Sequence, residues 1–68
     1  MNEKRIWKVP FETPYGVTYH NIKAQDQETI RNNREKLHAI FKGDGLVTLN
    51  TSRYAWQWFE GSTFEVEL

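Results

Sequence analysis

The side chains best suited to acid–base or metal chemistry in this chain are two histidines, His20 and His38, and two carboxylates two positions apart, Glu65 and Glu67. A metal centre needs three or four ligands with outer partners that orient them. The chain has no cysteine to complete such a set, and the two histidines fall on different expected elements, so both read as ordinary surface or hydrogen-bonded residues. Glu65 and Glu67 resemble a catalytic carboxylate pair. Their alternation on one strand face reads better as a charged edge that deters strand addition. Ser52 and Ser62 sit in turn sequences without a local histidine, so no triad can be built. Gly43-Asp44-Gly45 follows a helical segment, whereas phosphate-binding loops precede one. The sequence therefore predicts a non-catalytic protein with no cofactor and no metal.

The remaining concentration of chemistry is Arg53-Tyr54-Ala55-Trp56-Gln57-Trp58-Phe59, with four aromatic rings in seven residues. Read at the period of a strand, Tyr54, Trp56 and Trp58 share one face, and Arg53, Ala55, Gln57 and Phe59 the other. Such rings are either a core face or a working surface. As a surface, Arg53, Tyr54, Trp56, Trp58 and Phe59 would form a partner-binding patch. The same rings, with Arg53, Lys8 or Lys23 as phosphate contacts, would also suit unpaired bases. A second candidate surface is the helical face Arg31, Arg34, Lys36 and Lys42, diluted by Glu28, Glu35 and Asp44 and readable as a solvated face.

Composition limits the choices. Sixty-eight residues make one domain, residues 1–68. A chain this short buries only roughly 60% of its unfolded surface and needs staples, an aromatic core or self-association. Aromatics make up 15% of the residues, which favours the aromatic core, and a homodimer is the alternative support. Formal net charge is zero, which argues against a dedicated double-strand binder. Residues 1–42 carry eight Lys/Arg against five Asp/Glu, and residues 43–68 carry one against four, a mild +3/−3 asymmetry. No apolar run approaches the ~20 residues of a membrane span. The first residues have charges without the apolar stretch of a signal peptide. A cytoplasmic protein with no membrane partner is expected.

The elements that must position these residues follow from local pattern. Residues 5–12 read as a strand with Trp7, Val9 and Phe11 on one face, and Pro10 marks a sheet edge or bulge. Thr13-Pro14-Tyr15-Gly16 reads as a hairpin turn closed by a glycine at positive φ. Residues 17–24 form the returning strand. Its apolar residues switch faces near His20-Asn21, which suggests a bulge or cover on both faces. Asp26 is an N-cap for one helix over residues 27–41, with Ile30, Leu37, Ile40 and Phe41 as a single apolar stripe. Lys42 and Gly43 close it and Asp44-Gly45 turns the chain. Strands follow at 46–50, 53–59 and 64–68, joined by short turns as an antiparallel meander. The expected fold is α+β, one helix packed on an antiparallel sheet of four to five strands in the order ββαβββ.

In element order and length this layout is similar to many small phage and mobile-element proteins, some of which inhibit host enzymes such as RNA polymerase by binding them. No motif carries the likeness, so it implies no residue roles. The resulting expectation is a small protein that acts by protein–protein contact as a regulator or inhibitor, of phage or mobile-element origin. Single-stranded nucleic-acid binding through the aromatic strand is the alternative. A small hydrolase or transferase completed across an oligomer interface ranks third.

Overall fold

The computed structural model describes residues 3–41 and 45–68. Its elements are β1 (Arg5–Thr13), β2 (Gly16–Ala24), α1 (Gln27–Asn32), α2 (Arg34–Ile40), β3 (Leu46–Val47), β4 (Gln57–Phe59) and β5 (Val66–Glu67). The molecule is a mixed α and β fold, as the sequence predicts. The helix number and the sheet topology differ from the expectation.

The β1–β2 hairpin is the spine. Its antiparallel register runs unbroken from Arg5↔Ala24 to Thr13↔Gly16, so the expected bulge at His20-Asn21 does not form. Only two residues, Pro14 and Tyr15, lie between the strands. The Thr13 hydroxyl donates to the Gly16 carbonyl at 2.8 Å and accepts from the Tyr15 N–H at 3.1 Å. Gly16 has φ 126°, the left-handed region that glycine enters without steric cost. One face of the hairpin carries Trp7, Val9, Phe11, Ile22 and Ala24 in the core, with His20 buried beside them. The opposite face carries Ile6, Lys8, Pro10, Val17, Tyr19, Asn21 and Lys23, as alternation requires. The apparent switch of faces along β2 is therefore real: Val17 and Tyr19 belong to the face away from the core.

The sheet order is β3-β1-β2-β5, with β4 also on β1. The expected C-terminal meander is absent, because β3 and β4 both pair with β1 rather than with each other. Leu46 and Val47 pair with Glu12 and Phe11. Gln57, Trp58 and Phe59 pair with Lys8, Trp7 and Ile6. Pro10 lies between the two stretches. Its carbonyl accepts from the Thr48 N–H at 3.1 Å, so its backbone points to this edge, where it has no N–H to offer. The proline thus interrupts the ladder inside the sheet rather than marking its border.

Strands 46–50 and 53–59 are consequently shorter than expected, and residues 48–56 form a loop. The Thr51 hydroxyl oxygen accepts from the N–H groups of Arg53 and Tyr54, and Asn50 Oδ1 accepts from the Trp56 N–H. Such side-chain bonds to backbone compete with a ladder.

The expected antiparallel sheet is mixed, since β5 pairs parallel with β2 through Ile22↔Val66 and Lys23↔Glu67. Residues 60–65 carry the chain from one side of the hairpin to the other. A Cβ placed on Gly61 would lie 3.6 Å from the Phe59 ring and 3.9 Å from Ile6 Cδ1, and the Lys23 ammonium is 5.0 Å from the Phe64 ring centroid. Ile6, Phe59 and Lys23 all belong to the face opposite the helices, so the crossover passes over that face and Ile6 is buried beneath it.

The single expected helix is two. Asn33 Nδ2–H donates to the Thr29 carbonyl at 2.7 Å, and the Asn33 N–H turns to the Ile30 carbonyl at 3.1 Å. Asparagine's short amide competes in this way with the regular helical ladder. Asp26 caps α1 as predicted, accepting from the Thr29 N–H at 2.8 Å and the Thr29 hydroxyl at 2.7 Å. Ile30 and Leu37 are fully buried and Phe41 packs against the core, but Ile40 is 45% exposed, so the stripe is narrower than expected. The expected roles of Lys42, Gly43 and Asp44 lie outside the described residues. Gly45 is at φ 88°, and a Cβ there would fall 1.7 Å from the Glu12 carbonyl oxygen, so this close crossing admits glycine alone.

Leu37→Ala is expected to cost about 2–5 kcal/mol, because the side chain sits in the core between α2 and the sheet. Urea or thermal denaturation followed by circular dichroism measures it. A midpoint equal to that of the parent would contradict the packing.

Candidate binding surface

The five residues singled out from the aromatic segment separate in three dimensions. Trp56 precedes β4 and is only 6% exposed, a member of the core with Trp7, Val9 and Leu37. Its indole N–H is buried and has no hydrogen-bond partner among the described residues, at a cost of roughly 1–3 kcal/mol that ring burial must exceed. Trp56 is therefore not on an open face. Arg53 and Tyr54 lie in the loop before it, with the guanidinium carbon 5.3 Å from the Tyr54 ring centroid and the ring half-buried.

Trp58 and Phe59 remain on β4, and both are open, at 47% and 38% exposure. Adjacent strand residues point to opposite faces, so the strand presents one large ring on each side of the sheet. Trp58 opposes Trp7 on the core side, and the Arg5 guanidinium carbon sits 4.1 Å from its ring centroid. A cation this close to an indole face is attracted by the ring quadrupole and limits the ring's motion. Phe59 lies against Ile6 and Gly61 on the other side.

The backbone of β4 completes the surface. Its ladder partner is β1, and among the described residues no other backbone hydrogen bond reaches Gln57, Trp58 or Phe59. Successive residues of an antiparallel strand direct their N–H and C=O groups alternately to its two sides. At least one residue of β4 therefore offers both groups outward. The strand is an open sheet edge flanked by exposed rings above and below.

The histidine and carboxylates have structural partners. His20 stacks on Phe41 with ring centroids 3.9 Å apart and meets Phe11 edge-on at 4.8 Å. His20 Nδ1 lies 3.1 Å from Glu65 Oε1, and Glu65 Oε2 accepts the Asn21 N–H at 2.9 Å. An ionised carboxylate only accepts, so Nδ1 carries the proton. An imidazole–carboxylate pair is a general acid–base unit in principle. Here the carboxylate fastens the segment before β5 to β2, together with the Glu65 N–H to Asn21 carbonyl bond of 2.8 Å. Glu67 pairs with Lys4 at 3.0 Å. β5 is an edge of the sheet with both carboxylates exposed, and these two attachments engage them there. His38 Nδ1–H donates to the Gly45 carbonyl at 3.0 Å. No group of three or more potential metal ligands occurs among the described residues. The helix face of Arg31, Arg34 and Lys36 lines an open groove that also takes in Glu35, His38 and Leu46, with Asn32 and Asn33 at the helix break. No helix among the described residues is long and apolar enough to cross a membrane.

Sequence reasoning missed Arg5 as a partner of Trp58 and Glu65 as a partner of His20. Both pairings depend on strands distant in sequence, and no local pattern announces them. Comparison with family models, curated proteins and solved structures yields no match to this chain.

Two measurements follow from this geometry. Trp56→Ala should cost roughly 3–5 kcal/mol, whereas Trp58→Ala, which removes an open ring, should leave the melting temperature close to that of the parent. Equal losses in both would contradict the assignment of one ring to the core and one to the surface.

The second measurement concerns acid. The Asp26 carboxyl is held below its ordinary 3.8 by the hydrogen bonds from the Thr29 hydroxyl and N–H, and that of Glu67 below its ordinary 4.5 by the hydrogen bond and charge of Lys4. Depressed carboxyls stabilise the fold above their unfolded values and lose that contribution as pH falls through the folded ones. The melting temperature should therefore fall as the solution is acidified below about pH 4.5, and less steeply in an Asp26→Asn/Glu67→Gln double variant. An unchanged acid slope in that variant would contradict the two attachments.

Proposed function

We propose that this chain is a small non-catalytic binding protein that acts by protein–protein contact through the β4 edge, as a regulator or inhibitor of its partner. The observation that carries the reading is the open edge of β4 with Trp58 and Phe59 exposed on its two sides. An extended partner segment can add to such an edge, drawing affinity from main-chain hydrogen bonds and selectivity from side chains on alternate faces. Exposed tryptophan is the residue type that most often dominates binding energy once desolvated. Arg5 holds Trp58 in place before binding, which lowers the entropy lost on docking. Arg53 and Tyr54 stand in the adjoining loop as flanking contacts.

The nucleic-acid alternative has lost Trp56, which lies in the core, and keeps fewer open rings than the sequence suggested. It remains as an outcome of the test. Trp58→Ala, with the fold retained by circular dichroism, should abolish capture of the partner from a nuclease-treated lysate of the native cell. Binding that survives in the variant would remove β4 from the interface. Binding of a short oligothymidine that weakens steeply with salt would favour the nucleic-acid reading instead.

A further inference from the structure

The charge around β4 specifies the kind of segment that fits it. Arg5 lies over Trp58 on the helix side of the sheet. Lys8, opposite Gln57 on the other face, carries its ammonium 5.0 Å from the ring centroid of Tyr19 on β2 and so leans away from β4. Arg53 is exposed in the loop that leads into the strand. The acidic residue nearest β4 in sequence is Glu60, immediately after it. The carboxylates of Glu65 and Glu67 are engaged by His20 and Lys4, and Asp26 is engaged in its cap. The charge balance of the whole chain is zero, but cations lie against the exposed ring of Trp58 and the half-buried ring of Tyr54, with Glu60 after Phe59 as the nearest opposing charge in sequence.

We propose that the partner of β4 is an extended acidic segment of another protein, which pairs as a sixth strand with its carboxylates directed at Arg5 on the Trp58 face and its alternate side chains on the Phe59 face. This rests on the edge-binding reading above and adds the chemistry of the partner. A second copy of this chain is a poorer occupant. In two β4 strands joined about a twofold axis, the added strand carries Gln57, Trp58 and Phe59 and brings no carboxylate of its own to Arg5. A carboxylate at the same place gains an ion pair and keeps the cation–ring contact. Alternation suits the arrangement, because successive residues of the added strand face the Trp58 side and the Phe59 side in turn.

The test uses two synthetic peptides, Thr-Glu-Val-Glu-Val-Glu-Thr and its glutamine isostere Thr-Gln-Val-Gln-Val-Gln-Thr, titrated into ¹⁵N-labelled full-length protein at low salt. Amide and indole resonances of Gln57, Trp58 and Phe59 report the site. The expected result is shifts confined to β4 and its β1 neighbours, with the glutamate peptide roughly fivefold or more tighter than the isostere. Arg5→Gln, at an exposed position, should remove that preference, so that the two peptides bind the variant with equal affinity. Equal affinity for both peptides would overturn the charge assignment and leave the edge reading standing. Absence of shifts at β4 with either peptide would overturn the edge reading itself. Concentration-dependent shifts of β4 without peptide, with a doubled mass by sedimentation, would replace the acidic segment with a second copy.

Discussion

A proline inside a nine-residue strand sets the architecture. Pro10 stands near the middle of β1, and its backbone faces away from β2. The hairpin itself loses nothing, because on that side the register is complete from turn to strand ends. The free side of β1 is different. It can accept a hydrogen bond at Pro10 but cannot donate one, so a long continuous strand cannot lie along it. Two short strands occupy it instead, one on either side of the gap. The nine residues between them leave the sheet, and the loop they form delivers Trp56 into the core.

The rest of the chain compensates for a sheet built of small pieces. The core gathers side chains from β1, β2, both helices, β3 and the loop before β4, so no single element after the hairpin supplies most of it. β5 is only two residues long, yet Glu65 and Glu67 attach it to a histidine, a main-chain amide and a lysine on the first third of the chain. Exposed ion pairs of this kind are individually weak. Here they act alongside main-chain bonds and the packing of Val66 and Leu68, and together these hold a strand that could not persist alone.

Legibility followed sequence distance. The hairpin, Gly16 at its positive φ, the Asp26 cap and the burial of Ile30 and Leu37 depend on neighbours within a few residues, and each was readable. Asn33 falls inside the single expected helix, because an asparagine in a helical pattern is ambiguous until its amide finds a carbonyl. The meander failed because short turns favour neighbouring strands only where a free partner edge exists, and the edge divided by Pro10 was the better acceptor. For the candidate site, alternation correctly put Trp58 and Phe59 on opposite faces. The same alternation grouped Trp56 with Trp58, but a strand exists only from Gln57 onward. Arg5 over Trp58 and Glu65 against His20 were invisible, since each joins residues more than forty positions apart.

The placement of β3, β4 and β5 on the outer sides of the hairpin has a consequence for biogenesis. A nascent chain that has emerged only as far as α2 is a hairpin with a helical cover and both flanks bare. The residues that close those flanks, 46–47, 57–59 and 66–67, come from the last third of the polypeptide. Their pairings span long sequence separations, and such contacts form late and slowly. During synthesis the apolar face of Trp7, Val9 and Phe11 must therefore wait, incompletely sealed, until residues 57–59 and 66–67 have left the ribosome. The design relies on the short sequence distance between β1 and β5, because little time then separates their emergence.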